Sequence, residues 1–268
     1  MRVPLHTSTI GEEEIEAVVA TLRSGNVTAG ARVRRFEETL AGKFGFRHAV
    51  MTNSGSSANL IAMSALASPL RGSARIPPGS EVIVPAVAWS TSVWPVVQTG
   101  MVPVVVDVDP GRWGADPKEV QRAIVPGVTK AVVIVHVYGS VTDEAVAQIA
   151  RQNNLAIIED ACEAQGSEGV GQGDVTTFSF YFSHTMTTIE GGACATNSDE
   201  IADILRVQRA HGWARDLSSP PPCPFGPEGV PINPRFLFLD TGYNVRPTEV
   251  GAAIGLVQLD RFDALAEA

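Results

Sequence analysis

A chain of 268 residues is long enough to bury one sizeable core. Hydrophobic residues make up 44% of it and charged residues 18%, with no low-complexity run, which excludes a disordered protein. The formal net charge of -9, with Lys and Arg scattered along the chain, excludes the basic footprint of a nucleic-acid binder.

In chain order, GEEEIEAVVATLRSG predicts a first helix, with Ile15, Val18, Val19 and Leu22 as its apolar stripe, acidic residues in its first turn and Gly25 as its stop. RVRRFEETLAGKFG predicts a second, with Val33, Phe36, Leu40 and Phe44 facing inward and Gly45 ending it. Short apolar runs then alternate with helix-length segments: HAVMT and SSANLIAMSALA, EVIVP and STSVWPVVQTG, VPVVVDVD and PKEVQRAIV, KAVVIVHVYG and DEAVAQIARQN, then LAIIEDA. Continuous β-branched runs are the pattern of strands buried on both faces, and strand–helix repetition implies right-handed crossovers and a mainly parallel sheet. The fold class expected is therefore α/β. TTFSFYF and GACATN add two strands, and DEIADILRVQRAHG a helix. Residues 217–234, LSSPPPCPFGPEGVPINP, read as a long loop, and RPTEVGAAIGLVQLDRFDALAEA as a last helix with Val250, Ile254 and Leu259 inward.

The opening MRVPLHTSTIGEEEIEAVV is acidic where a secretory peptide needs an apolar run, so a cytoplasmic protein is expected. Cys162, Cys194 and Cys223 are odd in number and far apart, which suggests neither a disulfide framework nor a metal site.

Ligands of open α/β sheets sit at the carboxyl ends of the strands. Four segments fall there. In TNSGSSANL, Gly55, Ser56 and Ser57 open a helix, either as a simple cap or as an anion site. In LAIIEDACEAQG, Asp160 is either a solvated strand end or the partner of a protonated ring nitrogen. Trp89 either packs in the core or stacks on a planar cofactor. In DVTTFSFYFSHTMTTIEGGACATN, Ser179 and His184 precede Glu190 and a glycine pair, read as a turn holding the loop or as a substrate contact. His136 in VHVYG reads as a structural or strand-end histidine.

These segments, in this order, resemble the DegT/DnrJ/EryC1/StrS aminotransferase family of fold-type-I pyridoxal phosphate (PLP) enzymes, from IGEEEIEAVVATLRSGNVTAG to GYNVRPTEVGAAIGLVQL. The resemblance implies a three-layer large domain over residues 1–268: N-terminal helices over 1–45, an α/β core over 46–215, and a loop with a terminal helix over 216–268. It implies that the family's small C-terminal domain is missing. It also implies that Gly55, Ser56, Ser57 and Ser179 bind the cofactor phosphate, Trp89 stacks on the ring, Asp160 pairs with its nitrogen and Glu163 lies near its phenolic oxygen. Asn244 would reach the phosphate of a neighbouring subunit, making the site a property of a homodimer.

In the family's aminotransferases a lysine stands where this chain has His184. An imidazole cannot form a neutral imine with an aldehyde, so lysine-type transamination is not expected, yet it remains a competent base near neutral pH. Histidine there resembles the 3-dehydratase subgroup, which acts on nucleotide-linked 4-keto-6-deoxyhexoses. By that resemblance pyridoxamine phosphate (PMP) condenses with the C4 ketone, His184 removes a proton from the cofactor's C4' carbon, the C3 hydroxyl leaves, and glutamate regenerates the cofactor. The branch that carries an iron–sulfur cluster is not matched, because the corresponding loop holds Cys223 alone. A non-catalytic partner subunit and a PLP-independent enzyme reusing the pocket are the alternative readings.

Overall fold

The computed structural model describes residues 8–217, 233 and 236–267. Most of the proline-rich loop, with Cys223, lies outside them. Helices α1 (Glu12–Arg23) and α2 (Ala31–Phe44) precede β1 (His48–Thr52) and α3 (Gly55–Ala67). The alternating section follows as β2 (Glu81–Pro85), α4 (Ser90–Gln98), β3 (Val102–Val106), α5 (Pro117–Ala123), β4 (Thr129–Val135), α6 (Glu144–Gln152) and β5 (Ala156–Asp160). Then come β6 (Val175–Ser179), β7 (Gly192–Thr196), α7 (Asp199–Arg209), α8 (Glu249–Asp260) and α9 (Phe262–Glu267).

The strands form one seven-stranded sheet in the order β1-β7-β6-β5-β4-β2-β3. Every pairing is parallel except the two made by β7, so β1 runs the same way as β6 and the carboxyl ends of six strands share one edge. Alternation along each strand divides the core into layers. Val50, Val82, Val84, Val133, Ile158 and Cys194 face one side, where α3 and α7 pack. On the other side, Met51, Phe178 and Ala193 meet α2, α8 and α9, whereas Ile83, Val132, Ile134 and Ile157 meet α5 and α6. Gly45 ends α2 in the left-handed region (φ 76°), the conformation glycine adopts without a Cβ penalty.

Three expectations about the elements are corrected. The stripe of α1 is not its buried face: Ile15, Val19 and Leu22 are exposed, and Glu14 and Thr21 are buried instead. The reason is polar docking against α8 and the residue after it, because Glu14 accepts from Gln258 (2.7 Å) and pairs with Arg261. Strand β3 is not covered on both faces; it is the edge strand, with Val102 and Val105 exposed, and Pro103 sits where an edge tolerates the loss of a donor. The terminal helix is two helices, α8 and α9, broken at Arg261, where the backbone leaves the helical region (φ -106°, ψ 7°). Among the described residues no helix is long and apolar enough to cross a membrane.

Candidate active site

The shared carboxyl edge of the sheet carries a cavity of about 480 Å³. Its walls come from the start of α3, the β2–α4 turn, the ends of β4 and β5, and the loop after β6. Of the residues singled out from sequence, Gly55, Ser56, Trp89, Asp160, Glu163, Ser179, His184 and Glu190 line it. Ser57 and Asn244 do not.

Ser54 caps α3, its hydroxyl accepting from the Ser57 N–H (3.1 Å) and donating to the Ser57 hydroxyl (3.0 Å). Ser57 is therefore engaged in the cap, and the Gly55 and Ser56 residues that line the cavity keep their backbone N–H groups for an anion. A Cβ built on Gly55 would lie 2.5 Å from the Ser179 Cβ and 3.0 Å from the Cys162 Sγ. That close approach of helix to strand is why glycine stands there.

Asp160 is no solvated strand end: it is buried, and its carboxylate is clamped. Oδ2 accepts from Asn59 Nδ2 (2.7 Å) and from the Ser92 hydroxyl (2.7 Å), and Oδ1 accepts from the Cys162 N–H (3.1 Å). Asn59 and Ser92 were passed over in the sequence because nothing in SSANLIAMSALA or STSVWPVVQTG marks one polar residue as inward. The signal available is that both lie within the first two turns of a helix that follows the site end of a strand. Cys162 lines the same wall, and burial together with the neighbouring Asp160 charge pushes its thiol well up, so it stays protonated.

Glu163 accepts the backbone N–H of Tyr138 (2.7 Å), whose φ of 54° lies in the left-handed region. That bond anchors the backbone of an aromatic residue, 83% exposed, on the wall of the cavity that Trp89, itself 76% exposed, also lines. Trp89 is thus not a core residue. Its backbone takes the N-cap position of α4, which leaves the ring free to overhang the cavity.

His184 sits on a loop pinned at both ends. Phe180 donates its N–H to Gly191 (2.9 Å) and accepts from Thr188 (2.9 Å), and the Phe180 and Met186 side chains are fully buried. Among the described residues the His184 ring makes no hydrogen bond; its ring neighbour is Tyr181, with centroids 6.2 Å apart. Burial depresses its pKa below the ordinary histidine value, while the Glu163 and Asp160 charges oppose that shift without cancelling it. The imidazole is neutral at pH 7 and able to accept a proton. His136, by contrast, is buried and used up: its Nε2 donates to Glu159 (2.9 Å) and its Nδ1 accepts from the Thr142 N–H (3.1 Å).

Asn244 is exposed outside this cavity, with Oδ1 accepting from Arg246 (3.1 Å). In its own chain it touches none of these groups. The resemblance had placed it at a neighbouring subunit's site.

A desolvated neutral histidine, a clamped carboxylate, a helix N-terminus and two exposed aromatics on one cavity are chemically able to hold a planar anion and to move a proton. The chain is 38% identical, over 97% of its length, to a dTDP-4-dehydro-2,6-dideoxy-D-glucose 3-dehydratase of Saccharopolyspora spinosa, and spans 59% of that relative. Two crystal structures of GDP-4-keto-6-deoxymannose-3-dehydratase superimpose on 98% of it, each at 34% identity and covering 69% of the larger chain. One, a histidine-to-asparagine variant with bound GDP-perosamine, gives a TM-score of 0.88, and the other, with a trapped PLP-glutamate geminal diamine, gives 0.87. Residues 8–268 match the family model, and the chain belongs to the DegT/DnrJ/EryC1/StrS aminotransferase family.

Proposed function

We propose that this chain carries the site of a PLP/PMP-dependent sugar dehydratase, which removes the C3 hydroxyl of a nucleotide-linked 4-keto-6-deoxyhexose. The observation that carries the reading is His184: a neutral, desolvated imidazole stands on the cavity wall where the family's aminotransferases have lysine. The residues present fit the cofactor. The Gly55–Ser179 approach makes a cradle that a Cβ would fill, and Asp160 offers a carboxylate on the cavity wall.

The α3 N-terminus with Gly55, Ser56 and Ser179 would hold the phosphate, Trp89 would cover the ring, and Asp160 would face its nitrogen. Glu163, bonded to the Tyr138 backbone, would border the phenolic oxygen. Bound there, the pyridine ring supplies an electron sink for the departure of a hydroxyl next to the substrate carbonyl. His184 has no covalent hold to offer, so binding falls to these non-covalent contacts, and its open ring nitrogens are left to take and return a proton. The pinned loop keeps the imidazole at the cavity, with the Tyr181 ring as its neighbour.

The same reading takes glutamate as amino donor, supported by the PLP-glutamate adduct trapped in a relative. It places Asn244 at a partner's phosphate in a homodimer, in keeping with its position outside its own cavity, and it locates the protein in the cytoplasm. Residues 1–268 are taken as one transferase-like large domain, its N-terminal helices, α/β core and terminal helices packed on one sheet.

The test is the absorbance spectrum with PLP before and after glutamate, then turnover of keto-sugar nucleotides. Conversion of the aldehyde band to the pyridoxamine band, absent in His184→Asn, supports the reading. A spectrum unchanged from free PLP, or equal conversion by the variant, overturns it.

A further inference from the structure

Asn59 occupies the second turn of α3, whose buried face otherwise consists mainly of Ala, Ile, Met and Leu. A buried amide in such a face is costly unless its donor and acceptor are both used. Both are. The Thr177 hydroxyl, on β6, donates to Asn59 Oδ1 (2.6 Å), and Asn59 Nδ2 donates to Asp160 Oδ2 (2.7 Å). The reversed amide would set a carbonyl oxygen against a carboxylate oxygen with no proton between them, so only one orientation is available.

Ser92, from α4, adds a second donor to the same Oδ2 at 2.7 Å. Oδ2 is thereby occupied by two side chains from two helices, while Oδ1 accepts the Cys162 N–H at 3.1 Å and the Cys162 thiol adds a side-chain bond to the same carboxylate. These bonds fix the carboxylate plane, and the group lines the cavity, where its less occupied oxygen can meet a donor. Charge-assisted bonds of this kind are the strong ones, and Thr177, Asn59, Ser92 and Asp160 are all buried.

We infer that Asn59, held by Thr177, is a positioning residue that turns the Asp160 carboxylate toward the protonated ring nitrogen of a pyridine cofactor. The inference rests on the cofactor reading above and adds to it the residues that aim the acid.

The test measures binding of two probes to the 268-residue chain: pyridoxal phosphate, and its analogue with a ring C–H in place of the nitrogen. Tryptophan fluorescence quenching gives both affinities. The native chain is expected to prefer pyridoxal phosphate. In Asn59→Leu, affinity for pyridoxal phosphate falls roughly tenfold or more while affinity for the carbon analogue holds, so the preference collapses. Thr177→Val weakens the preference in the same direction, and Thr177→Ser restores it; this pair carries the test if Asn59→Leu does not fold.

Equal loss for both probes in a folded variant assigns Asn59 a structural role only and overturns the inference. So does a native preference that survives in Asn59→Leu, which leaves the cofactor reading standing. A native chain that binds neither probe overturns the inference and the cofactor reading together.

Discussion

Two histidines lie at the same edge of the sheet, each near a carboxylate of β5, and they are put to opposite uses. Glu159 and Asp160 are consecutive, so their side chains leave opposite faces of the strand. Glu159 meets His136, the Thr176 hydroxyl and the Gly171 N–H, a closed set with every ring nitrogen and carboxylate oxygen engaged. Burial pushes the Glu159 carboxyl up, but the bonds from His136, Thr176 and Gly171 outweigh it and hold it below the ordinary value. Asp160 is held by two side chains on Oδ2 and by the Cys162 N–H on Oδ1, whereas the His184 ring nitrogens make no hydrogen bond among the described residues. The difference teaches that availability, rather than proximity to an acid, separates a reactive histidine from a structural one.

The comparison breaks most visibly at the histidines. His184→Asn should lower dehydration turnover by about 10²-fold or more and leave the unfolding free energy within about 0.5 kcal/mol of the native value, read by steady-state rates and urea denaturation. His136→Leu should do the reverse. It strands Glu159 in the core and should cost about 3–5 kcal/mol of stability in the same denaturation experiment. Because the Glu159 pKa is lowered on folding, its stabilising share is present above the unfolded carboxylate value and is lost as pH falls through the folded one. Glu159→Gln should accordingly flatten the acid limb of a stability-against-pH curve; an unchanged limb would show that other carboxylates dominate it.

A middle-sized effect is expected at the cradle. The Gly55→Ala methyl would meet Ser179 at 2.5 Å, and the forced separation of α3 from β6 should cost about 1–3 kcal/mol in stability. Weaker phosphate binding, measured by pyridoxal phosphate titration, should accompany it. Glu163→Gln sharpens the comparison more gently. It keeps an acceptor for the Tyr138 N–H and removes the charge that opposes the depression of His184, so the acid limb of kcat/KM should move to lower pH. Movement to higher pH would deny the Glu163–His184 coupling. The smallest effect belongs to the exposed stripe of α1: Leu22→Ser should change stability by no more than about 0.5 kcal/mol in the isolated chain.

The order of strands and helices could be read from the sequence, because continuous apolar runs and helical periodicity are local properties. So could the strand ends at which Gly55, Trp89, Asp160, Ser179 and His184 stand, since an open α/β sheet gathers those ends at one edge. Which side of an amphipathic helix is covered was not local information: α1 docks through Glu14 because α8 presents Gln258 to it. Nor was the exposure of β3, which follows from its place at the sheet edge. The partners of Asp160 illustrate the division most closely. Sequence placed an acid at a strand end, but only packing α3, α4 and β6 around it brought Asn59, Ser92 and Thr177, whose bonds in the network join residues 68 to 118 positions apart, into one buried network. Hydrogen bonds between distant segments leave no periodic trace in the chain, so the tertiary structure alone decides which acid is aimed and which histidine is left open.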